Sequence, residues 1–328
     1  MKKSTYFITG GTGSFANKFI FDLVKKKIAK KIIVFSRDEY KQMLMKDLPY
    51  IKSNKKLFRF YIGDVRDKNR LDWAILDEVD VVVHTAALKQ VPATEYNPFE
   101  TIQTNILGTQ NIIEISIKKN IEKIILISTD KAVSPINLYG STKLTAEKLF
   151  LSGNFFKGKN KKCRFSVIRY GNVMGSRGSV IPILLNQNNI NSNFFTITHS
   201  AMTRFSITLS QASAFVESCL KIMKGGEIFV PKLPSYNIID LAKAINSTRP
   251  IKIIGIRSGE KLHEELVSAT EFRNLKEKKN YYIIDANKNE SKKNESIFKS
   301  YNSLENSNYL TIKQIATLVK SNKSDFEK

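Results

Sequence analysis

The chain is predicted to fold as an α/β protein: a doubly wound parallel sheet of Rossmann type with a smaller C-terminal substrate lobe. Three observations carry this. Near-continuous Ile/Val/Phe runs indicate strands covered on both faces, helical patterns alternate with them, and each unusual motif falls at the carboxyl end of one of the runs. Ligands bind along that edge in such sheets. The chain has 328 residues of 42% hydrophobic composition, enough for a substantial core. We expect 1–175 to form the dinucleotide-binding domain, 176–328 to form mostly the substrate lobe and final helix, and 205–230 to return to the first domain.

The first run, Thr5 to Thr9, leads into Gly10-Gly11-Thr12-Gly13-Ser14-Phe15-Ala16 and a helix over 17–27. Gly10 and Gly13 let the backbone turn tightly and approach a pyrophosphate, which the free N–H groups at the helix start favour. Thr12, Ser14 and Phe15 complete that turn as cofactor-binding candidates. The second run, 31–36, ends at Ser36-Arg37-Asp38-Glu39-Tyr40-Lys41. Ser36, Arg37 and Lys41 suit the 2′-phosphate of NADP, whereas Asp38 is the carboxylate that an NAD site would place on the ribose.

The third run, 58–63, is followed by Asp64-Val65, where a carboxylate suits the adenine amine. The fourth, 79–84, closes on His84-Thr85-Ala86-Ala87-Leu88-Lys89. Ala86 and Ala87 are small enough for ribose and nicotinamide to lie against backbone, with Lys89 beside them. His84 reads equally as a packed strand-end histidine. A helix over 97–117 contains Gly108, whose cost inside a helix points to close packing, most simply against the next helix.

The fifth run, 121–128, opens the stretch that organises the chain, Thr129-Asp130-Lys131 through Tyr139-Gly140-Ser141-Thr142-Lys143. Residues four apart on a helix share a face, so Tyr139 and Lys143 project together. The sixth run, 165–170, precedes Asn172 and a basic loop containing Arg177 and Val180. Thr203-Arg204 and Arg257 to Glu260 lie in two further Arg-bearing loops. Arg forks suit diphosphate oxygens, so these loops are read as a clamp on a nucleotide diphosphate. Thr208-x-x-Gln211 and Thr311-x-x-Gln314 are capping boxes, and 286–299 reads as a polar, mobile loop.

Net charge is +23, scattered through Lys-rich helical and loop segments without a nucleic-acid motif, so we expect neither a nucleic-acid nor a membrane partner. Two cysteines, Cys163 and Cys219, support neither a disulfide framework nor a zinc site, and the three histidines lack metal-ligand spacing. A cytoplasmic protein without a resident metal is expected.

The stretches T-G-G-T-G-S-F, F-S-R-D-E-Y-K-Q, G-D-V-R-D, A-A-L-K-Q-V-P, S-T-D-K-A-V-S-P-I-N-L-Y-G-S-T-K, R-Y-G-N-V-M-G-S-R-G-S-V-I-P, M-T-R-F and G-E-K-L-H-E span residues 9 to about 265. They resemble the extended short-chain dehydrogenases/reductases, and more narrowly the inverting UDP-N-acetylglucosamine 4,6-dehydratases/5-epimerases of pseudaminic acid synthesis. Ala16, Thr85, Ser206 and Ser258 depart from that pattern, and none removes a catalytic group.

The resemblance implies NADP as cofactor, UDP-N-acetylglucosamine as substrate and a homo-oligomer. It implies that Tyr139, supported by Lys143 and Thr129, takes the carbon-4 hydroxyl proton. Asp130 protonates the departing carbon-6 hydroxyl, and Lys131 removes the carbon-5 proton. Lys131 must be neutral to do so, which burial beside cationic groups promotes. A retaining dehydratase, a UDP-sugar 4-epimerase, and a non-catalytic NADP-sensing or nucleic-acid-binding protein are the competing readings.

Overall fold

The computed structural model describes residues 3–175, 179–190, 192–285 and 299–322. Six parallel strands occur where apolar runs predict them: β1 (Ser4–Thr9), β2 (Ala29–Ser36), β3 (Phe58–Ile62), β4 (Val81–His84), β5 (Lys123–Thr129) and β6 (Arg164–Tyr170). In the sheet they stand in the order β6-β5-β4-β1-β2-β3, so the chain reverses its direction of travel between β1 and β4. That reversal opens a crevice at the carboxyl edge, where β1 and β4 pair in parallel from Tyr6↔Val81 to Thr9↔His84.

Three strands extend the sheet beyond β6. Glu227–Pro231 pairs parallel to β6, and Tyr281–Asp285 and Leu275–Glu277 are added antiparallel at the edge. These strands are only three to five residues long and are not among the apolar runs that predict β1 to β6.

The largest apolar cluster fills both faces of this sheet; Phe7, Ile8, Val34, Phe35, Val83, Leu126 and Ile168 are wholly buried. A smaller cluster joins the helices Val180–Asn189, Ile238–Ile245 and Ile312–Ser321 with the strand Phe195–Ile197. Both capping boxes form as spelled, with the Thr208 and Thr311 hydroxyls accepting from the Gln211 and Gln314 amides.

Two local expectations need correction. The helix predicted over 97–117 is built from Pro98–Ile102 and Gly108–Lys118 joined by a wider π turn at Gln103–Leu107. Gly108 is not pressed against the next helix: a Cβ there would lie 2.6 Å from Val65 Cγ2, in the loop after β3. The loop expected over 286–299 falls almost wholly outside the described residues.

Candidate active site

The carboxyl ends of β1 to β6 surround a cavity of about 560 Å³. Its near wall is the Gly-rich turn. Gly10 has φ +61°, the left-handed region that glycine enters without strain, and a Cβ there would meet the Ala86 amide nitrogen at 2.9 Å. Gly13 is the N-cap of the helix Ser14–Lys25, which leaves the first-turn N–H groups facing the cavity. Thr12, Ser14, Phe15, Ser36, Arg37, Lys41, Asp64, Val65, Ala86, Ala87 and Lys89 all line the same space. A glycine cradle too tight for any side chain, opening on free helix N–H groups, fits the pyrophosphate of a dinucleotide.

The charged residues at the β2 end are already engaged. Asp38 caps the helix Glu39–Lys46 by accepting from the Lys41 amide at 2.9 Å, and it pairs with the Lys41 ammonium. Asp64 accepts from Arg66 Nε at 2.9 Å and lies 3.4 Å from Arg37. Burial alone would raise the Asp64 carboxyl, but its bonds to Arg66 and the Arg37 charge hold it below the usual range. Arg37 remains half-exposed at the cavity rim.

His84 is a packed residue. It is fully buried between Thr9 Oγ1 (2.7 Å) and Thr109 Oγ1 (3.1 Å), and desolvation plus the Lys143 charge push its pKa down to about 3. It stays neutral and ties β1 and β4 to the helix Gly108–Lys118.

Beyond β5 the backbone makes one 3-10 turn, Asp130–Ala132, and enters the helix Leu138–Phe156. Asn137 fixes that entry: its side chain accepts from Gly140 N (2.8 Å) and donates to Gly259 O (2.7 Å). The helix thus begins one residue before Tyr139 and turns Tyr139 and Lys143 into the cavity, together with Thr129, Lys131 and Asn172. Lys143 Nζ donates to Ile127 O at 2.9 Å, and desolvation lowers its pKa to about 8. Desolvation raises Tyr139 to about 12, opposed by the Lys131 charge and by its hydrogen bond with Thr129.

Asp130 has no exposed surface. Burial raises its carboxyl pKa above the ordinary value, and the nearby Glu264 charge adds to the rise against the pull of Lys131. Oδ1 accepts from Thr129 Oγ1 at 2.9 Å, and Oδ2 lies where a Cβ on Gly171 would approach it at 3.4 Å.

The surroundings of Lys131 reverse what its sequence context suggests. Its Nζ donates to Asp130 Oδ1 (3.1 Å), Glu264 Oε1 (3.0 Å) and Asn172 Oδ1 (3.3 Å). Burial and Arg204 work to lower its pKa, but the Asp130 and Glu264 carboxyl oxygens that accept from Nζ outweigh them, and Lys131 is held as an ammonium. The carboxylate responsible, Glu264, sits in the G-E-K-L-H-E segment and was not singled out by its sequence, because nothing local shows which way that loop turns.

Two of the three Arg-bearing loops meet, with Arg204 Nη2 3.8 Å from Glu260 Oε1. Arg204 is buried and donates to Thr203 O (2.7 Å) and Leu262 O (3.1 Å), with Glu264 3.7 Å from its Nε. Thr203 is buried too, its hydroxyl bonded to His263 Nδ1 (2.8 Å) and Ser303 Oγ (2.7 Å). Arg257 is exposed, its amide 3.3 Å from Glu260 Oε2. Val180 begins the helix Val180–Asn189 beside the cavity residue Ser179, and Arg177 lies outside the described residues. Among the described residues no group of three or more His, Cys, Asp or Glu side chains is arranged to hold a metal, and no helix is long and apolar enough to cross a membrane.

The chain is similar to known proteins over most of its length. Residues 6–286 match the family described as polysaccharide biosynthesis protein. Over 282 residues the chain is 48% identical to the UDP-N-acetylglucosamine 4,6-dehydratase (inverting) of Campylobacter jejuni, covering 86% of this chain and 83% of that one. It is 45% identical over 287 residues to a protein named UDP-glucose 4-epimerase from Rickettsia bellii, covering 85% and 82%. The X-ray structure of Pen from Bacillus thuringiensis superposes with a TM-score of 0.88 at 36% identity, covering 98% of this chain and 99% of that one. With a family match over residues 6–286, this chain belongs to the polysaccharide biosynthesis protein family.

Proposed function

We propose that the protein is an inverting UDP-N-acetylglucosamine 4,6-dehydratase that yields a UDP-2-acetamido-2,6-dideoxy-4-keto-hexose for surface-glycan or flagellin sugar synthesis of the pseudaminic acid type. The observation that carries the reading is the placement of Lys131 beside Tyr139 and Lys143 around one cavity, with the buried Asp130 carboxyl bonded to the Lys131 ammonium at 3.1 Å. Oxidation at carbon 4 needs only Tyr139 and Lys143. Elimination of water needs an acid as well, and burial raises the Asp130 carboxyl pKa above its ordinary value, the direction that favours an acid.

The cofactor reading is NADP, supported by Arg37 at the rim and by Lys41 and Ser36 in the wall. When bound, the nicotinamide supplies the redox chemistry, taking hydride from carbon 4 and returning it at carbon 6. The chain supplies the rest. Tyr139 receives the carbon-4 hydroxyl proton, with Thr129 and the Lys131 charge favouring its phenolate. Asp130 protonates the leaving carbon-6 hydroxyl, and Lys131 faces the carbon-5 proton. Thr203, Arg204, Arg257 and Glu260 belong to the proposed UDP-sugar lobe of 176–328, where Arg204 acts by bracing Glu264 rather than by gripping phosphate. A homo-oligomer in the cytoplasm completes the reading, consistent with two buried free cysteines.

The test is incubation with UDP-N-acetylglucosamine in deuterated water, then NMR of the product. A 6-deoxy-4-keto sugar with deuterium at an inverted carbon 5 is expected. The second reading, favoured by the Rickettsia similarity, is a UDP-sugar 4-epimerase, and a product lacking the 6-deoxy-4-keto group would establish it instead.

A further inference from the structure

Glu264 is only 2% exposed, yet it lies in a loop between two short strands, a place where buried carboxylates need a reason. Its backbone is pinned on both sides by Ser303: the Glu264 N–H donates to Ser303 Oγ (2.9 Å) and the Ser303 N–H donates to Glu264 O (2.8 Å). One carboxylate oxygen meets Lys131 Nζ at 3.0 Å, and the other is buried with no hydrogen-bond partner among the described residues. The groups facing it are Lys131 and Asp130 from the turn after β5, Tyr139 from the next helix, Arg204 from Thr203–Ile207, and Lys261 from its own loop. Burial would raise its pKa, but Lys131 and Arg204 hold it below the ordinary value, so it is a carboxylate.

An ammonium cannot remove a proton from carbon. For Lys131 to act on carbon 5 it must first pass a proton on, and three acceptors are within reach. The Asn172 amide oxygen is too weakly basic, and Asp130, as the acid of the dehydratase reading, has to keep its proton for the leaving hydroxyl. We propose that Glu264 is the positioning residue that makes Lys131 a base, accepting its proton when substrate seals the cavity. This inference rests on the dehydratase reading above.

The protons of the elimination step balance. Before elimination the group holds Asp130 neutral, Lys131 as ammonium and Glu264 as carboxylate. A proton shift of one hydrogen bond gives neutral Lys131 and neutral Glu264, and a site losing its water favours that pair over two desolvated ions. Lys131 then takes the carbon-5 proton while Asp130 gives its own to the carbon-6 hydroxyl, which leaves as water. The group now holds Asp130 as carboxylate, Lys131 as ammonium and Glu264 neutral. A shift back through Lys131 restores Asp130, and total charge never changes.

Glu264→Gln is the test, read in three ways. Dehydration should fall roughly 10²-fold or more, while abstraction of hydride from carbon 4, tracked by the near-ultraviolet band of reduced nicotinamide, stays near the wild-type rate. The surviving dehydration should climb with pH into the alkaline range, because Lys131 must then lose its proton to solvent. In unliganded protein, NMR of nitrogen-labelled lysine should show the Lys131 ammonium deprotonating at lower pH than in wild type. Equal losses in both half-reactions, or an unmoved pH profile and lysine titration, would overturn the proposal. If Glu264→Gln does not fold, Glu264→Asp carries the same comparison, and equal effects on both steps again overturn it. Wild-type protein that makes no 6-deoxy-4-keto sugar would instead remove the dehydratase reading itself.

Discussion

Gly140 packs its bare Cα against the backbone carbonyl of Lys131, so closely that a Cβ built there would collide with that oxygen and stand 3.0 Å from Pro135 Cβ. The helix carrying Tyr139 and Lys143 is therefore docked directly on the turn carrying Asp130 and Lys131. Gly140→Ala should push the two apart, costing about 1–3 kcal/mol of stability by overpacking. Urea unfolding would read that cost, and dehydration should suffer more than cofactor binding.

The two pairs are separable by chemistry. Tyr139→Phe removes the group that takes the carbon-4 proton and should lower every step by roughly 10²- to 10⁴-fold. Lys131→Gln should leave oxidation at carbon 4 measurable while dehydrated product disappears. Single-turnover absorbance of the reduced nicotinamide, paired with NMR of the sugar, distinguishes these outcomes.

Arg37 sits half-exposed at the cavity rim and leans on Asp64 only at 3.4 Å. If it binds a 2′-phosphate, Arg37→Ala should weaken NADP by roughly 10- to 100-fold, the worth of a charged hydrogen bond, and leave NAD affinity nearly unchanged. Calorimetric titration with both dinucleotides gives the ratio.

Lys143 stores a pH-dependent cost. Desolvation lowers its pKa from the ordinary 10.5 to about 8, so between those values the folded state binds fewer protons than the unfolded one. Stability from this group therefore rises with pH across that window, and below about pH 8 the protein bears the full cost of burying the charge. Lys143→Met should stabilise the fold at pH 7 by at most roughly 3 kcal/mol, with the gain fading as pH approaches 10.5. Denaturation curves of both proteins across that range test it.

Sequence was most informative where structure is built from continuous local pattern. β1 to β6 are buried on both faces and so spell themselves as apolar runs, and Tyr139 and Lys143 are paired by helical spacing alone. It was least informative about direction. Arg204 in a polar loop reads as a phosphate ligand, yet its guanidinium is spent on the carbonyls of Thr203 and Leu262. Lys131 reads as a base among cations, yet a carboxylate 133 residues later in the chain lies against it. No periodicity encodes a contact of that range, because loop closure is settled by packing of the whole lobe, here through Ser303 on Glu264.

The Lys131–Glu264 contact also sets the order in which a nascent chain gains its abilities. By the time residue 175 is made, the glycine cradle and the Tyr139–Lys143 pair exist and can fold as a unit before the C-terminal lobe is synthesised. Lys131 then has Asp130 and the Asn172 amide for company, and its second acidic partner arrives only when synthesis has reached residue 264. The proposed relay from Lys131 to Glu264 therefore has no acceptor in any chain that stops short of residue 264.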